Sequence, residues 1–385
     1  MPPAAPDDAA LDDPESLARL DPAEMLRAVA TAGAQVRESL VRIEDELLAP
    51  VAADDRPRAV LVVGMGASGI AAEVAAAVAG RTCPVPVLAY RGYRLPGWVG
   101  PMDLVIAVSC SGSTEETLSA ADEALRRGAR LVTVGAPGSP LAERSAGGRA
   151  VHLPVDAQGR LPRANLWGLA VPVVMTLDAA GLADVPRGTL AALADQLDTA
   201  AERCGPVVDS LANPAKALAL ELAGSLPYVW GASDIANVAA DRTAAQLAEN
   251  AKYPAVHGPL TEVSHNQVVV MAGAFGALAV DDDDIFRDRV DDAPAWPRMR
   301  LLLLRDNDEV PEVAARAEAS RETADHYGVP CTELRAEGDH PLLRLASLVA
   351  PLDFASVYLA LVQGIDPSPV EPIVVLTGGS TGGVL

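Results

Sequence analysis

The stretch Asp103-Leu104-Val105-Ile106-Ala107-Val108-Ser109-Cys110-Ser111-Gly112-Ser113-Thr114-Glu115-Glu116-Thr117 decides how this chain is read. The branched apolar run 104–108 has the length and composition of a buried strand, and a helical pattern follows over 114–127. Between them stand three serines, a glycine and a threonine, where a helix begins and its first amides lack intrahelical acceptors. The partial positive charge and free N–H groups of such a start suit a phosphate. No Lys or Arg lies in the loop. A phosphate there is held by neutral donors, as fits a small phosphorylated metabolite that must leave again.

A second loop of the same kind precedes it: Val62-Val63-Gly64-Met65-Gly66-Ala67-Ser68-Gly69-Ile70. Gly64, Gly66 and Gly69 satisfy the G-x-G-x-x-G spacing after a strand and before a helix, which invites a dinucleotide reading. That reading also asks for an acidic residue at the end of the next strand. The chain offers Tyr90-Arg91 there, which disfavours NAD and leaves only NADP. Two such loops in one sheet can instead converge on a single phosphate. The structural alternatives are a glycine turn needed for packing and a polar turn with N-cap residues.

Outward from these loops the chain alternates. Strands are expected at 59–64, 86–90, 103–108, 130–134 and 150–153, and helices near 69–79, 114–127 and 139–146. This predicts a parallel sheet covered on both faces. A second alternation follows, with strands at 228–231, 299–304 and 330–334 and helices near 235–250, 308–326 and 341–362, and it reads as a diverged duplication. The expected organisation is a disordered tail (1–14), an N-terminal helix plus first domain (15–185), a connecting helix (186–212), a second domain (213–376) and a flexible tail (377–385). Asp21-Pro22-Ala23-Glu24 reads as an N-cap with a capping-box glutamate opening a helix towards Glu46.

Composition narrows the function. Half of the 385 residues are apolar but only 3% are aromatic, so alanine and valine fill the core. A net charge of −22 excludes a nucleic-acid partner, because no basic cluster overrides it. Lysine occurs only twice, at Lys216 and Lys252, which reads as compositional bias. The four cysteines form no C-x-x-C pair, so reduced thiols are expected and neither disulfides nor a metal site. Cys110 as a nucleophile lacks a local histidine. The acidic residues 281–284 and 291–292 read as a solvated loop. The N-terminus lacks a signal-peptide pattern, and the apolar runs 166–177 and 268–280 fall short of the roughly 18 to 20 residues of a membrane span. A cytoplasmic protein without membrane contact is expected.

The two loops and the two-half layout resemble sugar isomerase (SIS) domain proteins. Four further segments resemble, more narrowly, the bifunctional phosphoglucose/phosphomannose isomerase family: Pro162-Arg163-Ala164, Glu249-Asn250-Ala251-Lys252-Tyr253-Pro254-Ala255, Glu262-Val263-Ser264-His265-Asn266 and Gly364-Ile365-Asp366-Pro367-Ser368-Pro369-Val370. The resemblance implies an α/β protein of two tandem SIS-type domains, each a flavodoxin-like three-layer sandwich. It also implies cofactor-free interconversion of glucose, mannose and fructose 6-phosphates through an enediolate. Such chemistry needs a base near carbon, a ring-opening group and positive charge for the oxyanion. By the family pattern these are Glu249, His265 and Arg163, while Gly66, Ser68, Ser109, Ser111 and Thr114 hold the phosphate. The family's histidine comes from the neighbouring subunit, which implies a homodimer with its active site at the subunit interface.

The chain departs from the pattern at three places. The family usually carries a lysine after the Asp-Pro-x-Pro-Val segment; the matching residue is Thr377, and no Lys or Arg follows Arg344. Gln267 stands where glutamate is more frequent, and Ala67 where a glycine is common. Two other functions stay open: the missing lysine motivates a catalytically impaired phosphosugar-binding regulatory protein, and Gly64-x-Gly66-x-x-Gly69 with Arg91 motivates an NADP-dependent oxidoreductase. For single residues the bland alternatives are a helix-end carboxylate (Glu249), a capping or core-edge histidine (His265) and a surface charge (Arg163).

Overall fold

Five short branched runs pair in parallel to make one sheet: β1 (Val60–Val63), β2 (Val87–Tyr90), β3 (Leu104–Ser109), β4 (Arg130–Gly135) and β5 (Ala150–Pro154), in the order β2-β1-β3-β4-β5. Every residue of β1 and β3 is buried, as a sheet covered on both faces demands. The helices Ala67–Ala79 and Leu166–Ala179 pack together, as do Glu115–Arg127 and Pro140–Ser145. Strand order reverses between β1 and β3, so right-handed crossovers send the two helix pairs to opposite faces. The computed structural model describes residues 9–146, 150–279 and 297–376.

A second parallel sheet is built from β6 (Ser225–Gly231), β7 (Val256–Pro259), β8 (Arg298–Arg305) and β9 (Cys331–Arg335), in the order β7-β6-β8-β9. This repeats β2-β1-β3-β4 strand for strand. Tyr228, Trp230, Leu301 and Leu303 fill one of its faces together with Leu260, Val263 and Ala317. The helices Asp234–Ala251, Pro311–His326 and Pro341–Val362 complete it. The fold is thus a tandem pair of doubly wound α/β domains.

Several expectations need correction. Residues 9–14 are no tail: Ala9–Leu11 forms a 3-10 turn, Leu11 is fully buried, and Asp13 caps the helix Pro14–Leu20. Lys216 anchors the segment through Asp12 at 2.9 Å. No single helix runs from 21 to 46. Asp21 caps Met25 and Leu26 at 2.7 and 2.9 Å, Glu24 takes a left-handed φ of 55° instead of closing a capping box, and three separate helices follow (Met25–Ala30, Ala32–Arg42, Asp45–Ala53). The chain divides into two units differently from the expected domains. Among the described residues, one holds those up to Leu26 with 202–279, 297–339 and 344–368; the other holds 27–146, 150–201, 340–343 and 369–376, so the division falls inside the helix Arg187–Cys204.

β7 escaped prediction because it is four residues long and contains glycine and proline. The helix Pro341–Val362 is long and apolar enough to cross a membrane, but 89% of its apolar window is buried within the protein, as in a core helix. Thr377 and the tail 377–385, residues 1–8, and the acidic residues 281–284 and 291–292 lie outside the described residues.

Candidate functional site

β1 and β3 are neighbours whose following helices leave in opposite directions, which makes the carboxyl edge between them the crevice where doubly wound sheets bind ligands. Both loops singled out in the sequence open there. After β1, Gly66 caps the helix Ala67–Ala79 with φ 53° and ψ −127°, a conformation only glycine adopts readily, and no side chain caps the helix. Ser68 is buried in its first turn. A Cβ on Gly69 would stand 2.7 Å from Arg91 Nε, so this glycine makes room for the arginine. Arg91 pairs with Glu73 at 2.5 Å.

After β3 the hydroxyls organise one another. Ser109 Oγ and Thr114 Oγ1 are 2.8 Å apart, Gly112 N donates to Ser109 Oγ at 3.1 Å, and Ser113 Oγ donates to Ser111 Oγ at 2.9 Å. Thr114 is the N-cap residue, yet its hydroxyl turns to Ser109 and leaves the helix without a side-chain cap. The first intrahelical bond runs from Leu118 N to Thr114 O, so the amides before it are available to an anion. Gly112 (φ 67°) is obligatory, because a Cβ would meet Ser139 Oγ at 2.0 Å. Glu115 and Glu116 in the first turn offset part of the dipole's positive end, and Glu116 with Glu115 raises the Tyr93 hydroxyl's pKa.

Cys110 fits no nucleophilic role. It is buried, burial pushes its thiol pKa up, and its Sγ accepts from Asn165 Nδ2 at 3.6 Å. Arg163 is 4% exposed in the turn Pro162–Ala164, which packs on the glycine-loop helix. Gln35 secures that turn through Ala164 O at 2.7 Å and Gly168 N at 3.1 Å. Arg163 is therefore not the surface charge of the bland alternative.

The other unit carries Glu249 and His265. Glu249 is half-buried in the last turn of the helix Asp234–Ala251. His265 is exposed after the short helix Leu260–Val263; its Nε2 lies 3.4 Å from Arg316 Nη1, which also donates to Ser264 Oγ at 3.1 Å. Gln267 accepts from the Trp230 indole at 3.0 Å and donates to His257 O at 3.3 Å, a role that fits an amide better than a carboxylate. Gly66, Ser68, Ser109, Ser111, Thr114 and Arg163 thus belong to one unit, and Glu249 and His265 to the other. Residue-type reasoning missed Asn165, which donates to Cys110 of the serine loop, and Arg316, which holds Ser264 beside His265; neither belongs to a motif. Among the described residues no cluster of three or more His, Cys, Asp or Glu could hold a metal ion.

Hydroxyl- and glycine-lined helix starts at the switch point of a doubly wound sheet, in a duplicated fold, define an SIS-type protein, and residues 56–171 match the SIS domain family. Residues 211–377 match the bacterial phospho-glucose isomerase C-terminal SIS domain. The chain belongs to the bifunctional phosphoglucose/phosphomannose isomerase family. It is 30% identical over 319 residues to the enzyme of that name from Caldicellulosiruptor bescii, covering 82% of this chain and 88% of the relative. The Aquifex aeolicus enzyme of the same name is 28% identical over 321 residues, with coverages of 82% and 88%. Among solved structures, the fold is shared with a hypothetical protein from Thermus thermophilus (TM-score 0.67, 18% identity, 98% of this chain and 94% of that one). It is shared too with the C-terminal domain of glucosamine-fructose-6-phosphate aminotransferase from Francisella tularensis (TM-score 0.63, 16% identity, coverages of 90% and 98%).

Proposed function

We propose that this protein interconverts fructose 6-phosphate with glucose and mannose 6-phosphates, as a homodimer. The observation that carries the reading is the pair of uncapped helix starts at one switch point, in a chain of this family. In this reading the Gly66 amide and the hydroxyls of Ser68, Ser109, Ser111 and Thr114 hold the phosphate with neutral donors. His265 of the neighbouring subunit passes the C1 hydroxyl proton to the ring oxygen as the bond between that oxygen and C1 breaks; its exposed position fits a group offered to a partner. Glu249 takes the proton from C2 of the aldose and returns it to C1, and the Arg163 guanidinium stabilises the enediolate oxygen between the two transfers.

Incubation with fructose 6-phosphate in D2O, followed by proton NMR, tests the reading. New aldose 6-phosphate signals or deuterium at C1 or C2 are expected. Glu249→Gln should lower turnover by about 10²–10⁴-fold, and full activity in that variant would remove the assigned mechanism. Thr377 favours one second reading, a sugar-phosphate-binding protein without turnover, because threonine cannot supply the charge of the family's lysine. Binding with an unchanged spectrum selects it. The NADP reading is weakened by Arg91, whose guanidinium is paired with Glu73 rather than left for a 2′-phosphate.

A further inference from the structure

Of the 30 basic Lys and Arg residues only Lys216 and Lys252 are lysines, and both ammonium groups sit among backbone carbonyls. Lys216 Nζ donates to Pro206 O at 2.9 Å, Val208 O at 2.7 Å and Asp12 Oδ1 at 2.9 Å. Lys252 Nζ lies 3.0 Å from Glu249 O, 3.2 Å from Asn250 O, 3.2 Å from Asp366 O and 3.1 Å from Pro367 O. Carbonyls converging on one point suit a compact ammonium. A guanidinium spreads its donors in a plane and cannot meet such a set. In a chain that otherwise makes its cations from arginine, this geometry explains lysine at both positions, where composition alone suggested bias.

Lys252 has a second peculiarity. It ends the helix Asp234–Ala251 in the left-handed conformation, φ 53° and ψ 35°, where glycine or asparagine is less strained. The backbone favours a residue without this side chain, and the side chain is nevertheless there with its ammonium folded back on the last turn.

We propose that Lys252 is a positioning residue for Glu249, an inference that rests on Glu249 being the base. The ammonium closes the last turn, whose carbonyls lack intrahelical donors, and ties it to the 366–367 turn. Two neighbours fix the same helix end: Asn250 Nδ2 donates to Ser356 Oγ at 2.9 Å, and Tyr253 OH donates to Ser225 O. Glu249 is the residue whose own carbonyl the ammonium grips, so its backbone is held against the two proton transfers. A misplacement of about 1 Å at such a group costs about 100-fold in rate.

The decisive variant is Lys252→Gly, which removes the ammonium and relieves the left-handed strain together. With fructose 6-phosphate as substrate, kcat should fall by about 10- to 100-fold while KM stays within about threefold, because the phosphate loops are untouched. Lys252→Arg should fall similarly. Lys252→Cys alkylated with 2-bromoethylamine, which restores an ammonium at nearly the native reach, should regain most of the turnover, with wild-type protein treated alike as control. Unchanged kcat in Lys252→Gly, full turnover in Lys252→Arg, or a rise in KM that accounts for the whole effect would overturn the proposal. If wild-type protein does not isomerise the sugar at all, the parent reading fails separately. Amide hydrogen exchange over residues 249–253 then decides the clamp: clear acceleration in Lys252→Gly supports it, and unchanged exchange refutes it.

Discussion

At the crevice between β1 and β3, two helices begin with glycine and hydroxyl residues and neither receives a side-chain cap. The corresponding crevice between β6 and β8 has the same strand order and the opposite chemistry. Ser233 Oγ accepts from Ala236 N at 3.2 Å and so caps its own helix. β8 runs into Arg305, 3% exposed, whose guanidinium is surrounded by Glu309, Glu318 and Glu333 at 2.7, 3.0 and 3.3 Å. Asp306 beside it pairs with Arg344 at 2.9 Å. The second crevice is rich in carboxylates, so an anion meets an unfavourable field there. The two copies share a scaffold and differ in their loops: Ser233 caps the helix after β6, and after β8, where the helix Pro311–His326 has no side-chain cap, carboxylates gather around Arg305 in place of hydroxyls.

The largest expected effect comes from giving the first crevice a carboxylate like those of the second. Ser111→Asp puts a carboxylate among the loop hydroxyls and should weaken fructose 6-phosphate binding by at least about 100-fold, roughly 3 kcal/mol, in isothermal titration. The matching change Ser233→Asp should alter binding by less than about threefold; comparable losses from both would break the comparison. Next, Glu309→Gln leaves Arg305 short of its nearest buried partner. Since two other carboxylates remain, the stability loss should be about 2 kcal/mol in urea unfolding, below the full cost of an orphaned buried charge, with sugar-phosphate affinity unchanged.

Gly112→Ala sharpens the comparison from the side of the backbone. The new Cβ meets Ser139 and must sit at a left-handed φ, so a loss of about 1–2 kcal/mol is expected together with weaker phosphate binding. The smallest effect concerns Asp12. The Ser210 hydroxyl and the Lys216 ammonium hold its carboxyl below the usual carboxylate range. A carboxylate depressed in the folded state contributes stability above its unfolded value, about 3.9, and loses it as pH falls through the folded one. Asp12→Asn should therefore lower stability slightly and evenly above about pH 5, and the gap to wild type should narrow below about pH 4. A gap that widens on acidification would refute the assignment.

Legibility followed the strength of local signals. β1, β3, β4 and β8 were readable because continuous branched runs have no stable alternative to a doubly covered strand. The glycine and serine loops were readable because φ > 0 and uncapped amides demand particular residue types. Asp21-Pro22-Ala23-Glu24 misled for the converse reason: it matches a capping box, but Asp21 reaches Met25 and Leu26 after Glu24 has turned left-handed. The ordered segment 9–14 could not be read locally either, since it depends on Lys216 Nζ, which is far from it in sequence.

By itself the sequence determined the class of protein: two alternating α/β halves, two phosphate-type loops in the first, and the ordered segments around Arg163, Glu249 and His265 that mark the family. These are encoded in short windows where side-chain periodicity and backbone freedom act within a few residues. Only the tertiary structure decided that Thr114 turns to Ser109 instead of capping its helix, that Cys110 is buried, that three carboxylates gather around Arg305 after β8, and that Lys252 grips the turn bearing Glu249. Each depends on a hydrogen bond or burial that exists only once distant segments meet, and a residue's partners are not written in its neighbours.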